Sequence, residues 1–212
     1  MTETQIKIIE AAEVEFAKNG FNGASIRDIT SAAGVNVAAI NYHFGNKDDL
    51  VREVVRYRIE PINLTRIQLL QDEYAKRKGN AIPLKRVIEI IIRPLFEALM
   101  SESCDDFHFM KVMAKGLGEE NSVLQSLHDD ILKDVISRFS KAIGHSLGTE
   151  DPRTIGYCMH LISSSVLGSM MQHKRLKLSS QGTADLEDVE GLIAHVVTFI
   201  TGGIKAVSVM NR

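Results

Sequence analysis

The chain is poor in cysteine: of 212 residues only Cys104 and Cys158 carry a thiol. They lie far apart, with no metal or redox spacing around either, so a disulfide framework and a structural zinc site are not written here. Long apolar runs are missing too. No stretch reaches the roughly 18 to 20 uninterrupted apolar residues that a membrane span requires, and the opening MTETQIK is too polar for a secretory signal. A cytoplasmic protein without membrane contact is expected. Catalytic signatures are equally scarce: there is no G-x-S-x-G elbow, no H-E-x-x-H, no G-x-x-x-x-G-K and no G-x-G-x-x-G. Asp105-Asp106 and Asp129-Asp130 are adjacent pairs whose side chains, on a helix, point about 100° apart and form no carboxylate dyad. His108, His128, His145, His173 and His195 share no metal-ligand spacing. The sequence points away from an enzyme and calls for no cofactor and no metal.

Strand patterns are also absent. Nothing alternates with period two over a convincing length, whereas apolar residues recur at spacings of three and four. An all-α protein follows, and 44% hydrophobic residues suffice for one small and one larger helical domain.

Residues 25 to 47, SIRDITSAAGVNVAAINYHFGNK, read as two short helices joined by a tight turn, with a third helix starting at once. Ser25 with Asp28 three residues later marks one helix start, and Gly34 can take the positive φ that ends that helix. Asn36 can cap the second helix. There Val37, Ile40 and Phe44 should face inward, while Ala38, Asn41 and Tyr42 share the other face. Small, amide and aromatic side chains on one face suit close approach to a groove. The arrangement is a helix-turn-helix, and it points to DNA.

With the preceding amphipathic helix, residues 9 to 47 resemble the DNA-binding domain of the TetR/AcrR family of transcriptional regulators. The features that carry the resemblance come in order: a first helix ending at Asn19-Gly20-Phe21, the Ser25 helix start, the Ala33-Gly34-Val35 turn, and Tyr-His-Phe-x-x-Lys at 42 to 47. One position departs from the family pattern, whose tyrosine directly follows the aliphatic residue matched by Ile40. Here that place is Asn41, and Tyr42 comes one residue later. The wording NVAAINYHFG is similar to a branch that includes regulators of fatty-acid metabolism and of drug response.

The resemblance implies a helix-turn-helix domain over residues 1–48 and a larger helical ligand-binding and dimerisation domain over residues 49–212. It implies a homodimeric repressor, released from a palindromic operator in double-stranded DNA by a small hydrophobic or amphipathic effector. Arg27, Tyr42, His43 and Lys47 are then expected at phosphates, and Ala38, Ala39 and Asn41 at base edges, with Ser25 and Asn36 capping the two helix starts. The alternative is a helical carrier or sensor of hydrophobic small molecules whose N-terminal module binds protein.

Charge fits DNA least well, because residues 1–52 carry five Lys/Arg against seven Asp/Glu. Glu3, Glu10, Glu13 and Glu15 are expected on the solvent side of the first helix, leaving Arg27 and Lys47 at helix starts. A long fourth helix, capped by Asn46, should carry Leu50, Val54 and Tyr57, kink or break at Pro61, and resume through Leu64, Ile67, Leu70 and Tyr74. Lys76-Arg77-Lys78 before Gly79 reads as a basic helix terminus.

Further on, Pro94 falls inside an amphipathic helix, and Gly144 to Asp151 reads as a connection. Asp151-Pro152 opens a helix expected to run to about Lys174. Its Ile155, Ile162, Val166 and Gly168, with Leu192, Val196 and Ile200 of the last helix, are the expected dimer interface. Phe96, Phe107, Phe109, Met110, Met113, Met159 and Met170 either surround an apolar ligand or are ordinary core. Arg93 and His160 either meet an acidic group of that ligand or, for the arginine, pair with a nearby carboxylate.

Overall fold

The structure, a computed structural model, describes residues 1–100, 131–184 and 188–209; the side chains at 99, 100, 170, 171, 173 and 174 lie outside that description as well. Among the described residues the secondary structure is helical, without strands. The helices are α1 (Glu3–Gly23), α2 (Ile26–Ala33), α3 (Val37–Phe44), α4 (Lys47–Lys76), α5 (Leu84–Met100), α6 (Lys133–Leu147), α7 (Pro152–Met171), α8 (His173–Ser179) and α9 (Val189–Val209). They fall into two compact units, the first holding α1–α3 with α4 up to Pro61, the second holding α4 from Ile62 with α5–α9.

In the first unit Thr2 and Gln5 form a reciprocal capping box that starts α1. Gly20, at φ 72° and ψ 172°, interrupts the helix where the sequence predicts its end, and a further turn follows to Gly23. The core gathers Ile8, Ile9, Ala12, Phe16 and Phe21 against Ile29, Ile40, Phe44, Leu50, Val51 and Val54. Each large apolar side chain fully withdrawn from water contributes about 1.5–3 kcal/mol, which is what joins three short helices into one body. Glu13 departs from the expected solvent side. It is buried, and its Oε2 accepts from Arg58 Nε at 2.8 Å, the pairing that a carboxylate withdrawn from water requires.

Asn46 caps α4 as expected, its Oδ1 accepting from the Asp49 N–H at 2.9 Å. Pro61 does not break the helix, which stays helical from Lys47 to Lys76. The apolar positions expected after it are also revised: Leu64 is 63% exposed and Ile67 only half-buried, whereas the buried set is Ile62, Asn63, Arg66, Leu70 and Glu73. Lys76 ends the helix, and Lys76 and Arg77 both pair with Glu73, so the basic run is a helix terminus.

Four helices of the second unit form a ring: α5 packs on α6 and α9, and α7 packs on the same two. Val87, Ile88, Ile90, Ile92 and Phe96 of α5 are buried, together with Phe139 and Ile143 of α6, Ile162 and Val166 of α7, and Ile193, Val197 and Ile200 of α9. Pro94 is carried inside α5 without ending it. Gly144, expected in a connection, is instead buried within α6, which runs on to Leu147; a Cβ there would sit 2.8 Å from the Thr149 carbonyl. Asp151 caps α7 by accepting from the N–H groups of Arg153 and Thr154. That helix stops at Met171 rather than near Lys174, and α8 follows. By length and composition α9 alone would pass for a membrane span, but its apolar stripe packs on α5 and α7.

Candidate nucleic-acid interface

The turn between α2 and α3 is set by three local devices. Ser25 Oγ accepts from the Arg27 N–H at 3.1 Å, Gly34 closes α2 in the left-handed region at φ 66°, and Asn36 Oδ1 accepts from the Ala39 N–H at 3.0 Å. Ile40 and Phe44 then anchor α3 in the core. The opposite face is left in solvent: Ala38, Asn41 and Tyr42 are exposed, Tyr42 to 86%, while Ala39 is half-buried at its margin. The Tyr42 ring touches His43 edge-on, with centroids 4.9 Å apart, and otherwise stands in solvent.

Val37 corrects the sequence reading. It is 44% exposed rather than inward, because Val35 in the turn packs against the core while Val37 belongs to the exposed first turn of α3. Val37, Ala38, Asn41 and Tyr42 thus form one surface with methyl, amide and phenol groups. Thymine methyl groups and adenine edges are the partners such groups read in a major groove. Only periodicity spoke for Val37, and periodicity is weakest at a helix end.

The residues expected at phosphates behave differently from one another. Arg27 is exposed at the start of α2. Lys47, the first residue of α4, donates from Nζ to the Asn22 carbonyl at 3.2 Å, which ties α4 to the end of α1 and holds a cation beside the module. His43 is half-buried and lines a 360 Å³ groove with Met1, Gln5, Phe44, Arg52 and Arg56. Arg52 and Arg56 pair with Asp49 and Glu53.

In the second unit the expected ligand residues that are described differ in exposure. Phe96 is fully buried core, Met159 is half-buried and His160 is exposed. Arg93 is held by four carboxylate oxygens: both of Glu190, at 2.5 and 3.1 Å, and one each of Glu89 and Glu97, at 3.3 and 3.4 Å. The hydrogen bond it donates to Glu190 heads the causes that raise its pKa, so the paired reading of Arg93 holds and its charge is already answered. Phe107, Phe109, Met110, Met113 and Cys104 lie outside the described residues, as does the side chain of Met170.

The residues expected at a dimer interface divide. Ile162, Val166, Val196 and Ile200 are buried in the chain's own core, which leaves them no surface for a partner. Ile155, Gly168 and Leu192 are half-buried. The outward stripes are instead Tyr157, Leu161 and Ser164 on α7, and His195, Phe199, Gly202 and Ala206 on α9. A Cβ added at Gly156, Gly168, Gly202 or Gly203 would meet nothing within 4 Å among the described residues.

Residues 8–54 match the family model of bacterial regulatory proteins of the tetR family, and residues 89–203 match that of the tetracyclin repressor-like C-terminal domain. The chain is 23% identical over 197 residues to the HTH-type transcriptional dual regulator CecR of Shigella flexneri, covering 91% of this chain and 86% of that protein. It is 46% identical over 52 residues to the probable HTH-type transcriptional regulator YttP of Bacillus subtilis, a match that spans 25% of that relative's length. Among solved structures, the fold is similar to the regulator FadR of Bacillus subtilis in complex with stearoyl-CoA, at a TM-score of 0.62 and 19% identity over 93% of this chain and 98% of that one. FadR of Bacillus halodurans, a fatty acid degradation regulator, is similar at a TM-score of 0.63 and 18% identity over the same shares.

Proposed function

The chain belongs to the TetR family of bacterial regulatory proteins and is a DNA-binding transcriptional regulator; from that premise we propose that it is a homodimeric repressor, released from a palindromic operator by an amphipathic effector. The observation that carries the reading is the face of α3, where Val37, Ala38, Asn41 and Tyr42 stand in solvent on a helix fixed from behind by Ile40 and Phe44. A helix held this way can enter a major groove without costing the core anything. Arg27 and Lys47 flank it as phosphate contacts.

Assembly follows from the second unit. The stripes carrying Tyr157, Leu161 and Phe199 are apolar, exposed and bordered by glycines that permit close helix approach. Two copies joined there bury both stripes in a four-helix contact, and a two-fold protein then reads two half-sites about one helical turn, 34–36 Å, apart or somewhat more. The FadR complex with stearoyl-CoA supports fatty acyl compounds as the first effectors to try.

Selection from random duplexes tests the DNA reading, with enrichment of an inverted repeat as the expected result. Recovery of no preferred half-site would remove α3 from the role of reader. Loss of that enriched duplex on adding a fatty acyl compound is the expected sign of release; an effector that tightens binding would make the protein an activator or co-repressed regulator.

A further inference from the structure

Two charged side chains, Arg66 and Glu73, lie on the buried face of α4 in the second unit, two turns apart, and they are treated in opposite ways. Glu73 is surrounded by cations: Arg86 at 3.1 Å, Arg77 at 3.4 Å and Lys76 at 3.9 Å. Arg66 is buried with no carboxylate paired to it among the described residues. Its Nε donates to the Ile91 carbonyl at 2.8 Å and its Nη1 to Asn63 Oδ1 at 3.3 Å, both neutral acceptors. A guanidinium has five N–H donors in a planar fork, so most of the fork, Nη2 included, has no acceptor in the described part of the unit.

Bracing of α5 does not account for this arrangement. Pro94 strips the donor from the Ile90 carbonyl, whereas Arg66 reaches the next one, Ile91, and uses one nitrogen to do it. Ile62 and Leu70, one turn to either side on the same helix face, are buried apolar residues. Withdrawal from water pushes the Arg66 pKa down to about 10, which still leaves the group charged at neutral pH. A buried cation without an anion costs several kcal/mol, and an oxyanion that reached the fork would remove that cost by accepting from its unmet donors.

We propose that Arg66 anchors the oxyanion head group of an amphipathic effector, a carboxylate or phosphate carried on an apolar chain. The inference rests on the reading of the second unit as the ligand-binding part. It names a polar contact that would orient an otherwise apolar molecule, and it moves the anion contact from Arg93, which is held by glutamates, to Arg66, which meets only neutral acceptors among the described residues.

The test is calorimetric titration of the full-length protein with decanoate, decyl phosphate and decanol, which share a chain and differ in the head. The expected result is that at least one oxyanion binds about 10- to 100-fold more tightly than the alcohol, the range for a charge-assisted hydrogen bond to a buried partner. Whichever oxyanion leads identifies the head group as carboxylate or phosphate. Arg66→Met should bring the leading oxyanion to the level of the alcohol and leave decanol binding unchanged. Arg66→Gln, which keeps a polar donor toward Ile91, should do the same and serves if the methionine variant fails to fold. Equal binding of all three compounds by the unmodified protein overturns the proposal, as does a preference that survives in Arg66→Gln. A variant that only melts earlier while the preference persists would make Arg66 a brace for α5. Binding is read without DNA, so the two readings separate. A neutral compound that releases the operator while no head group is preferred would overturn the Arg66 site alone, and an oxyanion that binds through Arg66 without changing operator affinity would overturn the regulatory role alone.

Discussion

Helix α3 and helix α9 both leave apolar side chains in solvent, but the two faces differ in kind. On α3 the exposed group mixes methyls with an amide and a phenol, in Val37, Ala38, Asn41 and Tyr42. On α9 it is Phe199, 73% exposed, with Gly202, Gly203 and Ala206 beside it. A surface with hydrogen-bonding groups discriminates among base edges; one centred on an exposed phenyl ring and glycines gains most by meeting another apolar surface. On the proposed function, the contrast separates a reading face from an assembly face.

The largest effect expected from this contrast is at Phe199. Phe199→Glu would bring two like charges to a two-fold contact, and the dimer should dissociate, with operator affinity falling about 100-fold. Sedimentation at nanomolar concentration checks it; an intact dimer would move assembly off the α7 and α9 stripes. On the reading face the expected losses are smaller. Asn41→Ala should cost about 1–3 kcal/mol at the preferred base and relax specificity there, whereas Tyr42→Ala should weaken all duplexes alike. Competition binding against a panel of half-site variants separates the two, and equal losses on every duplex for Asn41→Ala would make it a backbone contact.

Glycines sharpen the same division between filled and open surface. Gly144→Ala would place a methyl group 2.8 Å from the Thr149 carbonyl and should destabilise the fold by about 1–3 kcal/mol. Gly202→Ala meets open space and should stabilise the isolated fold by about 0.5–1 kcal/mol while hindering association. Thermal unfolding of both variants at low protein concentration is the measurement; similar losses would mean that the α9 glycine is already packed.

The smallest expected effect lies at Glu73. Burial pushes its carboxyl up, but hydrogen bonds and charge from Arg86, Arg77 and Lys76 outweigh that and hold it below the usual carboxylate range. A depressed carboxylate stabilises the fold fully above its unfolded value of 4.5, and that contribution is lost as pH falls through the lower folded value. Glu73→Gln should therefore lower stability near neutrality and flatten its decline in acid, as read from urea midpoints across pH; an unchanged acid slope would assign the decline to other carboxylates.

The DNA-binding module was legible because its determinants are local. Ser25, Gly34 and Asn36 act within three residues of themselves, and the structure shows their caps and the turn as the sequence predicts. The all-helical fold was legible for the same reason, since a repeat of three to four needs no distant partner. Misreadings came where a distant element decided. Glu13 looked like any surface glutamate until Arg58, 45 residues away, met it. Ile162, Val166, Val196 and Ile200 carried the right pattern for a packed stripe, but a pattern does not say whether the partner is the chain's own α5 and α9 or a second copy.

By itself the sequence determined the helical class, the caps at Ser25, Asn36, Asn46 and Asp151, and the exposure of Ala38, Asn41 and Tyr42 on α3, because hydrogen bonds within one turn and the period of an apolar stripe are properties of neighbouring residues. Tertiary structure alone decided which stripe of α7 and α9 is core and which is open, that Leu64 faces water while Arg66 is buried, and that among the described residues Arg93 meets carboxylates while Arg66 meets neutral acceptors. Burial and pairing depend on what another helix brings to the same place, and spacing along one chain carries no record of it.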